Sequence, residues 1–345
     1  MKSILNLALS VAAVLLLGTA PAVAADAPAQ PAQAQAQAQA QASHNQARLW
    51  RDARSGEAGF TTVRGVETGV LIQSGGETWR ELRNGPVTLY GGIVLCLVVV
   101  AIGLFYKWRG MIKLGAPPTG RQIERFNAIE RMAHWGMAVS FVILGVSGLL
   151  LLFGKHLLLP VLGHTLFGWL AVIGKNLHNF VGPLFLLSIV VSFFLFVKDN
   201  VWRKEDADWI ARAGGLISGA HVPSGRFNFG EKTMFWFGVV FLGLTVSASG
   251  LVMDFPNFGQ TRDTMQTVNL IHSVAALIFV CLMLGHIYIG TIGMEGAYAS
   301  MRLGHVDETW AKEHHELWYN EAKQQAGQAA SAAKSAPGAA AAAQS

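Results

Sequence analysis

Charge is what this sequence has least of. Only 14% of its residues are Asp, Glu, Lys or Arg against 52% hydrophobic, so the chain holds no large soluble catalytic core. Cysteine is almost absent. The two that occur, Cys96 and Cys281, each lie inside an apolar run, which excludes a disulfide framework and a thiolate set for an iron–sulfur cluster. No Cys-x-x-Cys-His tract exists, so covalent haem attachment is excluded as well. The formal charge of +5 forms no basic stripe and accompanies no nucleic-acid-binding motif, and no nucleic-acid partner is expected. What the chain does hold is long apolar runs, 38 glycines and 10 tryptophans, the composition of an integral membrane protein.

Residues 1–24 carry Lys2, an apolar stretch and a small-residue Ala22-Val23-Ala24 site, the pattern of a cleaved secretory signal peptide. Residues 25–85 are expected to be periplasmic: an Ala/Gln/Pro tract that predicts a disordered linker, then a small polar segment with Trp50 and Trp79 as aromatic anchors and a strand-like stretch at 69–73. Pro86 opens an extra transmembrane helix over residues 86–107. Four further apolar runs, at about residues 129–153, 177–197, 235–253 and 269–293, predict an all-α membrane helix bundle whose four-helix core spans 121–297. Lys107, Arg109, Lys113, Arg121, Arg125 and Arg131 outnumber Glu124 and Glu130, so the loop after the first span belongs in the cytoplasm. Residues 154–176 read as a periplasmic loop, and residues 198–232 as a cytoplasmic one. The tail, 298–345, is cytoplasmic and expected to be disordered from Gln324.

The last run has no charged residue yet holds His272 and His286. Ionisable groups at membrane depth are costly and usually functional. Fourteen residues turn a helix by ~1400°, about 40° short of four turns, so both imidazoles face one way, ~21 Å apart along the axis. Span direction supplies the partners. His134 opens an outward span and His286 closes an inward one, which puts both on the cytoplasmic side. His178 and His272 each open an inward span, which puts both on the periplasmic side. Two imidazoles facing each other across an apolar gap suit a b-type haem with both axial positions filled, an electron carrier with no open iron site. Gly136, Gly182 and Gly285, with Gly145, Gly148 and Gly243 further along, leave room either for a flat macrocycle or for close helix packing. His44, His156 and His164 read as solvated. His221, His305, His314 and His315 fall in cytoplasmic segments, and the adjacent pair among them points about 100° apart, a poor chelate. Asn228 and Glu231 read as an N-cap and N3 pair at the start of the fourth run.

Six runs then carry a resemblance: ERMAHWG at 130–136, GKNLHNF at 174–180, RFNFGEKTMFW at 226–236, NLIHSVAA at 269–276, LGHIYIG at 284–290 and WAKEHHELWY at 310–319. Over about residues 121–323 the chain resembles the gamma subunit of membrane-bound formate dehydrogenase, a cytochrome b of the bacterial inner membrane, in an extended form with a signal peptide and an extra span. The resemblance implies two haem b groups, one held by His178 and His272 on the periplasmic side and one by His134 and His286 on the cytoplasmic side. It implies an iron–sulfur beta subunit and a molybdenum- or tungsten-containing alpha subunit as partners. It also implies a quinone acceptor beside Asn228, Gly230, Glu231 and His286. The family position matching Glu231 can be Gln, so this sequence departs there.

The implied function is transfer of electrons from the iron–sulfur subunit to quinone on the cytoplasmic side, with formate oxidation carried by another chain. One rival is the cytochrome b of a membrane-bound nickel–iron hydrogenase. Another is a transporter whose histidines form a proton relay without haem.

Overall fold

Apolar runs this long satisfy their backbone in a bilayer only by becoming helices. The computed structural model describes residues 75–215 and 222–335, together with Arg51 and Ser55. The expected signal peptide, the linker, Trp50, the 69–73 stretch, His44, His221 and residues 336–345 lie outside the described residues. In chain order the elements are α1 (Gly75–Arg109), β1 (Gln122–Glu124), α2 (Ala128–Leu157), α3 (Leu159–Asn200) and α4 (Glu205–Ala211). They continue with α5 (Phe229–Asp254), α6 (Arg262–Gly293), α7 (Ala297–Leu303), β2 (His305–Asp307), α8 (Glu308–His314) and α9 (Glu316–Ser335). Five of them, α1, α2, α3, α5 and α6, are long and apolar enough to cross a membrane. Their outward faces expose large apolar side chains such as Leu97, Val146 and Phe194, as lipid-facing helices do. The protein is a multi-pass, all-α membrane bundle.

Three starts are written locally. At α2, Asn127 Oδ1 accepts the Glu130 N–H and Glu130 Oε2 accepts the Asn127 N–H, a complete capping box. At α5, Asn228 and Glu231 repeat it. At α6, Thr261 Oγ1 accepts the Thr264 N–H at 3.2 Å.

Three expectations need correction. The first span does not open at Pro86: helix begins at Gly75 and carries Pro86 through a π-helical turn, Arg83–Val87. A proline has no N–H and crowds the preceding turn; the wider turn accommodates it, and Thr88 Oγ1 donates to the Arg83 carbonyl at 2.6 Å. Trp79, in that early turn, donates its Nε1–H to Asn269 Oδ1 at 3.2 Å and so ties α1 to α6.

Residues 154–176 are not a loop. α2 and α3 run on as a helical hairpin broken at Gly163, whose φ of 72° and ψ of 172° suit glycine alone. A 30-residue α2 is about 45 Å long against a hydrocarbon core of about 30 Å, so this hairpin extends past the membrane. His156 and His164 are exposed on helix ends there, not in a loop. The tail differs too: residues 324–335, expected to be disordered, continue α9. Their alanines and glutamines are good helix formers.

The main core lies at mid-depth, where Phe185, Ile189, Val239, Leu242, Ala275 and Phe279 are buried together. A second cluster, Val306, Trp310, Ala311 and Trp318, seats α8 and α9 on the β1–β2 ladder. That ladder pairs Ile123 with Val306 in antiparallel register.

Candidate functional site

The four intramembrane histidines meet two by two. The rings of His178 on α3 and His272 on α6 have centroids 6.0 Å apart, inclined at 71°. Those of His134 on α2 and His286 on α6 are 6.3 Å apart, inclined at 54°. A first-row metal–imidazole bond of about 2 Å on each side, plus roughly 1 Å from nitrogen to ring centre, sets centroids roughly 6 Å apart. Either pair is spaced so that its two imidazoles could hold one iron between them. Among the described residues no three His, Cys, Asp or Glu side chains gather as a protein-only metal site. Two imidazoles would leave an iron's other positions to a group with its own donors, as a haem has.

The His178–His272 pair has a feature that sequence reading missed. Ser147 Oγ on α2 lies 2.9 Å from His178 Nδ1, and Ser249 Oγ on α5 lies 3.0 Å from His272 Nδ1. Each serine already donates its only hydrogen to a carbonyl four residues back in its own helix, Ile143 O and Thr245 O. With that hydrogen on the carbonyl, each oxygen is free to accept an Nδ1–H, as are the neighbouring Leu144 and Val246 carbonyls. The tautomer with Nδ1–H leaves Nε2 with its lone pair for a metal. A glycine follows each serine and lies against the ring, tightly at Gly148 and at ordinary contact at Gly250. A Cβ on Gly148 would meet His178 Cε1 at 3.3 Å, and one on Gly250 would meet His272 Cε1 at 3.5 Å. Of the glycines singled out from sequence, Gly148 does this; a Cβ on Gly145, Gly182 or Gly285 meets nothing within 4 Å, and Gly243 instead admits Ile189.

Between the pairs stand three phenylalanines. Phe279 is seven residues from each histidine of α6, about two turns, and so on the same face. Its ring lies 4.8 Å from Phe141 and 6.2 Å from Phe185.

The residues assigned to quinone by resemblance sit beside the His134–His286 pair's end of the bundle. Asn228 and Glu231 close the cap of α5, and Glu231 Oε1 also accepts from Arg125 Nη2 at 2.9 Å. A Cβ on Gly230 would meet the Trp209 ring at 3.0 Å, so this glycine lets α4 lie against α5. The Lys232–Asp206 ion pair, 2.7 Å and buried on both sides, fixes the same junction.

The tail returns to this end. His315 is 1% exposed, donates Nδ1–H to the Gly225 carbonyl at 2.8 Å, and holds Nε2 3.8 Å from Glu231 Oε2. Leu317 N–H reaches the Ser224 carbonyl. Burial, helped by the nearby Arg125 charge, pulls the His315 pKa down to about 3, against an opposing pull from Glu231. It is a neutral clamp on the 224–231 loop, a role that the sequence reading of the two adjacent histidines, as a poor chelate, did not find.

Residues 125–304 match the family described as prokaryotic cytochrome b561. The formate dehydrogenase cytochrome b556(fdo) subunit of Escherichia coli K12 is 31% identical over 205 residues, 58% of this chain and 93% of that protein. The nitrate-inducible formate dehydrogenase cytochrome b556(Fdn) subunit of the same strain is 30% identical over 207 residues, covering 58% and 92%. The formate dehydrogenase cytochrome b556 subunit of Haemophilus influenzae is 25% identical over 211 residues, covering 58% and 83%. The chain thus belongs to the prokaryotic cytochrome b561 family, among the cytochrome b subunits of formate dehydrogenase.

Proposed function

We propose that the chain is the quinone-reducing arm of a respiratory formate dehydrogenase and that it holds two haem b groups. His178 and His272 hold the one near the periplasm; His134 and His286 hold the one near the cytoplasm. What carries the reading is the geometry of α6, which offers one histidine to each pair, fourteen residues and ~21 Å apart. A haem with both axial positions filled exchanges single electrons and offers no site to oxygen.

In this reading an iron–sulfur subunit, fed by a molybdenum or tungsten subunit, delivers electrons at the His178–His272 end. They leave to quinone at the His134–His286 end, beside Asn228, Gly230 and Glu231, where two protons are taken from the cytoplasm. The excess of Lys and Arg at residues 107–131 supports that orientation. Electrons moving inward across the bilayer store ~2.3 kcal/mol per charge for each 100 mV.

The experiment is haem quantification and partner identification on the purified complex, with and without His272→Ala. Two b haems per chain should fall to one, and formate-dependent quinone reduction should stop. Retention of both haems in the variant would overturn the ligand assignment. A nickel subunit in place of the molybdenum or tungsten one would move the chain to the hydrogenase type, and a missing b-type spectrum would return the histidines to a proton relay.

A further inference from the structure

The two histidine pairs are built differently, and the difference has a direction. Around His178 and His272 each Nδ1 has a buried hydroxyl partner, at 2.9 and 3.0 Å. Ser147 is 4% and Ser249 8% exposed, so water does not compete. On the other face, His134 Nδ1 is buried with no hydrogen-bond partner among the described residues. An imidazole that gives its Nδ1–H to an acceptor becomes the more basic ligand through Nε2. A more basic axial ligand stabilises ferric over ferrous iron and so lowers the reduction potential.

We propose that Ser147 and Ser249 are positioning residues that set the iron held by His178 and His272 at a lower potential than the iron held by His134 and His286. The inference rests on the two-haem reading above. Its consequence is directional: one-electron transfer from the first iron to the second, one oxidised as the other is reduced, runs downhill toward His134 and His286. The bundle orders this flow with two hydroxyls on α2 and α5, neither of which touches iron. Each is followed by a glycine beside the ring, and at Gly148 a Cβ would crowd it.

A potentiometric titration of the purified complex, followed at the b-type absorption band, tests this. Wild type should resolve into two one-electron components. His272→Ala should remove the lower one and His134→Ala the higher. Ser147→Ala and Ser249→Ala should each raise the lower component and leave the higher in place, with the double variant raising it further. Ser147→Thr and Ser249→Thr keep the hydroxyl and should keep the wild-type midpoints.

Two haems retained with both midpoints unmoved in the double alanine variant would overturn the proposal. So would a shift confined to the higher component, or loss of the higher component in His272→Ala. If alanine costs the haem outright, the threonine variants decide: two haems at wild-type midpoints support the hydroxyl's role, and loss there too overturns it. A wild-type complex with only one b haem per chain would instead defeat the two-haem reading.

Discussion

At the scale of single residues, burial and hydrogen-bond direction decide what each histidine does. Ser147 and Ser249 lie against Nδ1 of His178 and His272, which leaves each Nε2 for the ligand role proposed above, whereas a carbonyl acceptor turns His315 into a lock on residues 224–231. The lock is sensitive to acid. Folded His315 titrates at about 3, and the same side chain in an undocked tail titrates near 6.5. Between those values the undocked state binds more protons, so docking is fully supported above pH 6.5 and weakens as pH falls. The charged groups facing His315 are Arg125, which opposes its protonation, and Glu231, which favours it, with His314 beside it. The protection of α9 against hydrogen exchange, corrected for the intrinsic pH dependence of amide exchange, should therefore fall between pH 6.5 and 5, above the usual carboxylate range. His315→Gln should exchange faster at pH 7.5 but lose that dependence. An unchanged slope in the variant would place the acid sensitivity elsewhere.

At the scale of elements, one irregularity explains another. Arg-Phe-Asn precedes both α2 and α5, at 125–127 and 226–228, and Ser-Gly recurs at 147–148 and 249–250. The second spacing is one residue longer. α5 carries a π-helical stretch, Met234–Leu242, whose wider turns advance each residue by less than the ~100° of an α-helix. The angular position of Ser249 on α5 is therefore set by that stretch and not by residue count alone, and it faces His272 as Ser147 faces His178. Deleting Val142 from α2, which has no π turn to give up, should rotate Ser147 and Gly148 by about 100° relative to the helix start and lose the adjacent haem. Deleting Val240, inside the π stretch, lets that stretch tighten to α-helix and should keep haem content. Haem per chain in the two deletions reads this directly, and equal loss would deny the π stretch its compensating role. Much of this architecture is legible in the chain. Apolar length marks the spans, and span direction alone brings His134 to His286 and His178 to His272. Residues 154–176 read as a loop only because two spans of about 20 residues are enough for a bilayer; nothing in hydropathy says that helices continue beyond it. The serines lie 31 and 23 residues from their histidines, on other helices, so no local pattern connects them. The repeated Arg-Phe-Asn was the available signal, and it points to the two hairpins rather than to any one site.

At the scale of the whole molecule, α2–α3 and α5–α6 are two versions of one hairpin clasped head to head. Arg125 of the first reaches Glu231 of the second at 2.9 Å, and Arg226 of the second reaches Glu130 of the first at 2.8 Å. Each arginine also donates to the other's backbone carbonyl, and Phe126 and Phe227 fill the space between with ring centres 5.8 Å apart. The symmetry is broken where the chemistry is. His134 lies four residues after Glu130, and the same step from Glu231 reaches Phe235. His286 lies fourteen after His272, and the same step from His178 reaches Ser192. Glu130 and Glu231 therefore share one structural job, capping a helix while pairing with the other hairpin's arginine, but only Glu231 is assigned to quinone. That makes each the control for the other. Gln can keep the N3 half of a capping box while removing the charge. Glu130→Gln and Glu231→Gln should both loosen the clasp. Both should lose thermal stability, since each leaves an arginine short of a carboxylate, Arg125 at 3% exposed and Arg226 at 22% exposed but still paired with Asp199. Quinone reduction per haem should fall in Glu231→Gln, with Glu130→Gln near wild type. If instead activity tracks stability in both, Glu231 serves the clasp alone, and the quinone is held by other residues at this end of the bundle.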